Sequence, residues 1–306
     1  MYKIRAFLAG FVVPALVVGV LTGFPGAGQR TADRGGHGTA CFTDQESDSF
    51  SPLRKVDLLV LDAGGPGPIK MGILVDLEPG WHLYWTNPGD AGLAPAIRWT
   101  LPPGFSAGPL LHPVPEKAVE EGLVSYEHRG SVLFLCEIMP PPSYGAAETW
   151  KATAVLEWMA CRESCVVGET TVRAVLPPAA ESLRKGRLAA ETFAPRFPRP
   201  LSASGLMAGP GRAEWTGSAW RIEIVLSGPR AGEAADFFPY PLENYVIENA
   251  GVSCHDGKIL LPVVPSGGTG SPPPAEVRGL VILAGAGYEV TAPVASGESK
   301  RLLQRS

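Results

Sequence analysis

Hydrophobic and polar residues alternate with a period of two along much of the chain. The clearest case runs from Trp150 to Cys161. Trp150, Ala152, Ala154, Leu156, Trp158 and Ala160 fall on one face, and Lys151, Thr153, Val155, Glu157, Met159 and Cys161 on the other. That period belongs to a half-buried β-strand. A second alternation sets Thr170, Val172, Ala174 and Leu176 against Glu169, Thr171, Arg173 and Val175. The polar run Arg162-Glu163-Ser164 between them suits a bend. Cys161 and Cys165 flank that bend.

The same reading predicts strands over residues 55–61, 70–78, 81–86 and 96–101. It also predicts a hairpin of 120–126 with 131–138 over Glu127-His128-Arg129-Gly130. Val132, Phe134, Cys136 and Ile138 share a face there, which makes Cys136 a core thiol. Asn87-Pro88-Gly89-Asp90 reads as turn chemistry, as does Gly64-Gly65-Pro66-Gly67. Residues 183–193 carry a short helix, and 195–200 and 205–211 read as linker. A second group of strands follows at 215–226, 245–248, 258–264, 277–283 and 288–292, with a polar loop at 267–274. Short strands punctuated by turns imply antiparallel β-sandwiches. The expected class is all-β, with two sandwich domains in tandem over 50–180 and 212–295. A short helix and linker (181–211) joins them, and 296–306 is a tail.

Composition changes this picture little. Gly 37 and Pro 31 in 306 residues, with 45% hydrophobic residues, fit many short strands around sizeable cores. A formal charge of -4 carries no nucleic-acid footprint, so nucleic acid is not an expected partner. The N-terminus adds more. Lys3 and Arg5 precede an apolar run over 7–24, so 1–28 reads as a secretory signal, or alternatively as an N-terminal membrane anchor. Residues 29–49 are a linker. Either reading exports the remaining chain, and export permits disulfides.

The candidate chemistry lies in the cysteines, five in all. Four steps along a straight strand would separate Cys161 and Cys165 by roughly 13 Å. A disulfide needs about 4.4–6.8 Å, so pairing requires a bend. A bridge closing so short a loop stabilises little. At a surface bend it is better explained by redox exchange than by stapling. Two other readings stay open. One is an inert structural disulfide in a non-catalytic interaction module. The other is Cu(I) handling by the soft ligands Cys161, Cys165 and Met159. Zinc would want two further ligands, and none is evident nearby. Arg162 would lower a neighbouring thiol's pKa and Glu163 would oppose it. His82, Tyr84 and Thr86 alternate with Trp81, Leu83 and Trp85, so His82 opposes the tryptophan face and can line a site. Cys254 and His255 are adjacent and face opposite sides. Cys254 reads as a buried thiol, Cys41 lies in the linker, and His112 and His128 fall in loops.

Several blocks resemble the N-terminal periplasmic region of DsbD/ScsB-type thiol:disulfide interchange proteins. They are the run from Gly80 to Asp90, Pro95 to Trp99, Leu101-Pro102-Pro103-Gly104, Tyr126 to Val132, and Leu156 to Cys165. Phe237-Phe238-Pro239, Lys258 to Leu261 and Arg278-Gly279-Leu280 carry a weaker likeness to the second periplasmic segment of the ScsB-like branch. The resemblance implies an immunoglobulin-like fold in which Cys161 and Cys165 are the redox pair. No cofactor beyond that disulfide is implied. It implies partners too: a membrane electron transporter, and periplasmic thioredoxin-like proteins of disulfide isomerisation, cytochrome c maturation or copper tolerance. A cap loop shields the pair in the best-known members of this family. By position its counterpart is the hairpin tip near Tyr126, with His82 and Trp158 beside the pair. Neither a multi-span domain nor a thioredoxin-like domain follows in this sequence, so the donor is expected in trans. Val166-Val167 stands where many relatives have Ile-Pro, which bears on loop shape more than on redox capacity.

Overall fold

The structure is a computed structural model and describes residues 51–63, 67–145, 149–268 and 270–296. The readings for 1–49, including Cys41, and for 297–306 lie outside the described residues, as do parts of the loops at 64–66 and 269. Phe50–Ser306 group into one compact unit.

The first sandwich is built from ten strands: β1 (Leu53–Asp62), β2 (Ile69–Leu77), β3 (His82–Gly89), β4 (Ala96–Thr100), β5 (Ser106–Ala107), β6 (Glu116–Glu120), β7 (Leu123–Arg129), β8 (Ser131–Met139), β9 (Trp150–Cys161) and β10 (Cys165–Leu176). One sheet has the order β1-β2-β8-β5. The other runs β10-β9-β3-β7-β6, with β4 also on β9. Every pairing in these two sheets is antiparallel. The inward faces meet in a core that includes Ile73, Val75, Phe134, Ala154, Leu156 and Trp158. Removing such side chains from water is the main favourable term, about 1.5–3 kcal/mol each when fully buried. The alternation over 150–161 is buried on its even positions, as the sequence predicts.

The helix begins earlier than expected, as α1 (Ala180–Phe193), and lays Ala189 against Leu59 and Leu61 of β1. Ten further strands follow: β11 (Arg199–Pro200), β12 (Met207–Ala208), β13 (Gly211–Trp215), β14 (Trp220–Ser227), β15 (Ala234–Pro239), β16 (Tyr245–Ile247), β17 (Ser253–His255), β18 (Lys258–Pro265), β19 (Glu276–Leu283) and β20 (Ala286–Ser296). Seven of them follow one hydrogen-bonded path, β15-β19-β20-β13-β14-β18-β16, with β11, β12 and β17 attached beside it, folded over a core that includes Ile222, Phe237, Leu261 and Val281. Most pairings are antiparallel, but β11 and β13 run parallel to β20. Residues 199–208, read from sequence as linker, therefore belong to this sandwich. β11 pairs β20, β12 pairs β14, and Leu206 is buried. Their prolines and glycines masked pairings that depend on distant strands.

A second correction concerns residues 120–138. The hairpin lies one turn earlier, between β6 and β7 over Glu121-Gly122. β7 and β8 do not pair. At Gly130 the chain crosses from one sheet to the other. Tyr126 is consequently not at a hairpin tip. It sits within β7, fully buried, against Trp85 and Phe238 where the two sandwiches meet. His128 likewise belongs to a strand. It stacks near His112 (ring centroids 5.8 Å apart), and both rings pack edge-on against Phe134.

Polar bonds reinforce the junction of the sandwiches. Asn87 Nδ2 donates to the Pro239 carbonyl at 2.9 Å, Asn249 Nδ2 donates to Asp90 at 2.9 Å, and Lys117 pairs with Asp236 at 3.1 Å. The Asn-Pro-Gly-Asp run, predicted as a simple turn, thus ends β3 and joins the two halves.

Two predictions follow from these burials. Burial lowers the pKa of His112 from 6.5 to about 4, and that of His128 well below 6.5. The unfolded chain therefore takes up protons below pH 6.5 that the folded one refuses, so stability is retained above 6.5 and lost as pH falls. His112 alone should cost about 2 kcal/mol between pH 7 and pH 5. Urea midpoints at the two pH values measure this; equal midpoints would count against the buried neutral pair. The Tyr126 hydroxyl is buried without a hydrogen-bond partner among the described residues. Tyr126→Phe should then be neutral or stabilising, whereas Tyr126→Ala should cost about 3–5 kcal/mol, as large aromatic truncations do. Denaturation of the two variants distinguishes a core role from one at the disulfide.

Candidate functional site: a disulfide at the tip of a long hairpin

β9 and β10 pair in unbroken register from Leu176↔Trp150 to Cys165↔Cys161. The register is locked from beneath by Trp158. Its ring lies across Gly168, where a Cβ would come within 2.4 Å of it, and its Nε1 donates to Thr170 Oγ1 at 3.0 Å. Only glycine leaves room for that ring. Trp158 therefore faces the core, on the side of β9 opposite the cysteines, and supports the hairpin from within.

Arg162, Glu163 and Ser164 close the hairpin, with the Arg162 N–H donating to the Ser164 carbonyl at 3.1 Å. The turn brings the Cys161 and Cys165 Cα atoms to 4.1 Å, and the two sulfurs are bonded. Cys161 is buried and Cys165 is exposed. The pair thus presents one sulfur to solvent and keeps the other inside. The free cysteines Cys136 and Cys254 are both buried, and burial pushes each thiol up to about 11. Neither competes as a thiolate near neutral pH. His255 is exposed on the side opposite Cys254.

Directly opposed residues of an antiparallel pair share a face. Cys165 opposes Cys161, Cys161 opposes His82, and His82 opposes Arg129. These four residues form one row across the sheet. In the adjoining row Tyr84 opposes Glu127. Glu127 is 3% exposed; it accepts from Ser125 Oγ at 2.6 Å and from Arg129 at 2.5 Å. His82 is also buried. Its Nε2 lies 3.3 Å from the Tyr84 hydroxyl and 3.4 Å from Glu127 Oε1. Burial lowers the His82 pKa, with Glu127 pulling the other way. Burial also raises that of Tyr84. Both rings are therefore neutral at pH 7. Gly92 rests on the Tyr84 ring, so the loop after β3 covers this part of the face; a Cβ at Gly92 would lie 2.3 Å from the ring.

The sequence placed His82 near the pair, and the structure sets it in the same row. It missed Glu127, Arg129, Tyr84 and Ser125. Ser125, Glu127 and Arg129 alternate with Tyr126 and His128, which is a strand signal, but the Gly130 that follows made 127–130 look like a turn. Arg162 is exposed and stacks over the Trp81 ring at 5.5 Å, which fixes its charge beside the turn. Glu163 is exposed. Met159 is half-buried two residues from Cys161 on the same face. No group of three or more His, Cys, Asp or Glu side chains able to hold a metal occurs among the described residues. No helix among them is long and apolar enough to cross a membrane.

Known proteins place this domain. Residues 55–177 match the family profile described as "Thiol:disulfide interchange protein DsbD, N-terminal". No curated protein matches the chain. Among solved structures, the N-terminal periplasmic domain of ScsB from Proteus mirabilis superposes with a TM-score of 0.56 at 20% identity. The match covers 76% of this chain and 90% of that one, and it shows a shared fold. The major pilin subunit BcpA of Bacillus cereus (10% identity, 79% and 64% covered) and the periplasmic chaperone SfaE (9% identity, 79% and 100% covered) reach TM-scores of only 0.25 and 0.22, too low to bear on fold or function. The matched segment contains the hairpin, its disulfide and the row behind it, and residues 55–177 are a domain of the DsbD N-terminal family of thiol:disulfide interchange proteins.

Proposed function

We propose that the protein is a periplasmic thiol–disulfide interchange protein in which Cys161 and Cys165 alternate between dithiol and disulfide. The observation that carries this reading is the asymmetry of the bridge. Exchange proceeds by in-line attack of a thiolate on a disulfide sulfur. An exposed Cys165 is where a partner sulfur can arrive, and a buried Cys161 is where it cannot. A bridge closing so short a loop contributes little stability, so stapling is a poor reason to place it there. Exposed Val167 and Leu93 lie near the hairpin tip and line, with Met159, a groove of about 340 Å³. That apolar rim suits the surface around a thioredoxin-like partner's own cysteines.

Reducing equivalents would come from a membrane thiol transporter in trans and pass to periplasmic thioredoxin-like proteins. The partner that Cys165 captures would decide between disulfide isomerisation, cytochrome c maturation and copper tolerance. The shield over the pair is better assigned to the β6–β7 tip than to Tyr126. Glu120, at that tip, exerts a Coulombic pull on both His82 and Tyr84, which supports this assignment.

Cys161→Ser should leave a lone reactive Cys165 that traps an oxidised thioredoxin-like partner as a stable mixed disulfide. Cys165→Ser should trap markedly less, since Cys161 is buried. Non-reducing electrophoresis reads the adduct. Equal trapping by both variants would remove the asymmetry on which the reading stands, and no adduct from either would leave a structural bridge.

A further inference from the structure

We propose that His82, held by Glu127, is the base that takes the proton from the Cys161 thiol when the reduced protein hands its electrons on. This rests on the exchange function proposed above and assigns a proton path to it.

Cys161 presents a chemical problem. It is buried, and burial disfavours a thiolate. Yet Cys161 must become a thiolate to displace a partner from Cys165. Arg162 is turned onto Trp81, and Arg129 is engaged by Glu127. The residue directly opposite Cys161 is His82. Opposed residues have Cβ atoms about 4.5–5.5 Å apart on one face, within reach of an imidazole and a thiol.

The hydrogen bonds around His82 set its tautomer. Nε2 is hydrogen-bonded with the Tyr84 hydroxyl at 3.3 Å and lies 3.4 Å from the Glu127 carboxylate, and a proton on Nε2 is the tautomer that both oxygens can accept. Nδ1 then bears the lone pair. It is buried and has no partner among the described residues. A buried acceptor without a donor is costly. In the oxidised protein Cys161 has no proton to offer; in the reduced protein its S–H supplies the missing donor. The groups facing His82 are Tyr84 on its own strand, Glu127 and Arg129 from β7, and Glu120 from β6. Burial keeps the imidazole neutral at pH 7, the form that accepts. A nucleophile beside a base oriented by a third group is the general arrangement of activated thiols.

The step balances as follows. Cys165 thiolate attacks a partner disulfide, forming one S–S bond and releasing one partner thiolate. Cys161 S–H passes its proton to His82 Nδ1. The resulting thiolate attacks Cys165 Sγ, forming the Cys161–Cys165 bond and expelling the second partner thiolate, which takes up the proton. The partner disulfide is reduced by two electrons, and the protein dithiol is oxidised.

The test mixes reduced protein with glutathione disulfide and follows, by quenching and mass spectrometry, formation and resolution of the Cys165–glutathione adduct from pH 6 to 9. In the wild type resolution should be nearly independent of pH above 7. In His82→Phe it should fall on the order of 10²-fold at pH 7 and rise about tenfold per pH unit. Adduct formation should be unchanged, so the adduct accumulates. Glu127→Gln, which keeps the imidazole but weakens its anchor, should show a smaller loss and covers the case that His82→Phe does not fold. Resolution with unchanged rate and pH profile in both variants overturns the role of His82 alone. A wild type that yields neither the adduct nor the Cys161–Cys165 disulfide overturns the exchange reading as well.

Discussion

The antiparallel register of β3, β9 and β10 is the constraint on which the rest depends. A slip of one residue would send every side chain of a strand to the other face. In the observed register Cys165, Cys161, His82 and Arg129 share one row. One slip would bury Cys165 in the core and expose Trp158. The register is fixed from the core side, where Trp158 lies across Gly168 and bonds to Thr170, and Ala152, Ala154 and Leu156 are wholly buried. The packed face thus positions the chemical one. The disulfide, closing a very short loop, adds little to holding the hairpin together.

The block from Gly80 to Asp90 shows how one segment serves two ends. Trp81 and Leu83 enter the core of the first sandwich, while His82 and Tyr84 stand behind the disulfide. Trp85, Asn87 and Asp90 then reach the second sandwich through Tyr240, Pro239 and Asn249. β3 therefore runs from the disulfide row at one end to the junction at the other. The second sandwich buttresses the strand that carries His82, a physical reason for it to accompany the disulfide-bearing domain.

Much of this was legible in the sequence because period-two alternation is a local signal. The long hairpin, the bend between the cysteines, the buried Cys136 and the opposed faces of Cys254 and His255 all follow from it. What was not legible depends on which strands meet. Glu127 looks like a turn residue until β7 is seen to pair β3. Tyr126 looks like a tip residue until Phe238, more than a hundred positions away, is seen to cover it. The prolines and glycines of 195–211 look like a linker until β11 and β12 find β20 and β14. Trp158 neighbours the cysteines in sequence, but its parity puts it on the core-facing side of β9, the face its alternation with Ala154 and Leu156 already assigned to it.

The central claim is that the Cys161–Cys165 bridge opens and closes in function. The reduction potential of the pair, measured by equilibration with glutathione or thioredoxin buffers, tests it most directly. A value between about -180 and -270 mV, the range of working thiol exchangers, is what the exposed sulfur and short loop predict. A value below about -300 mV, characteristic of structural disulfides, would contradict the account.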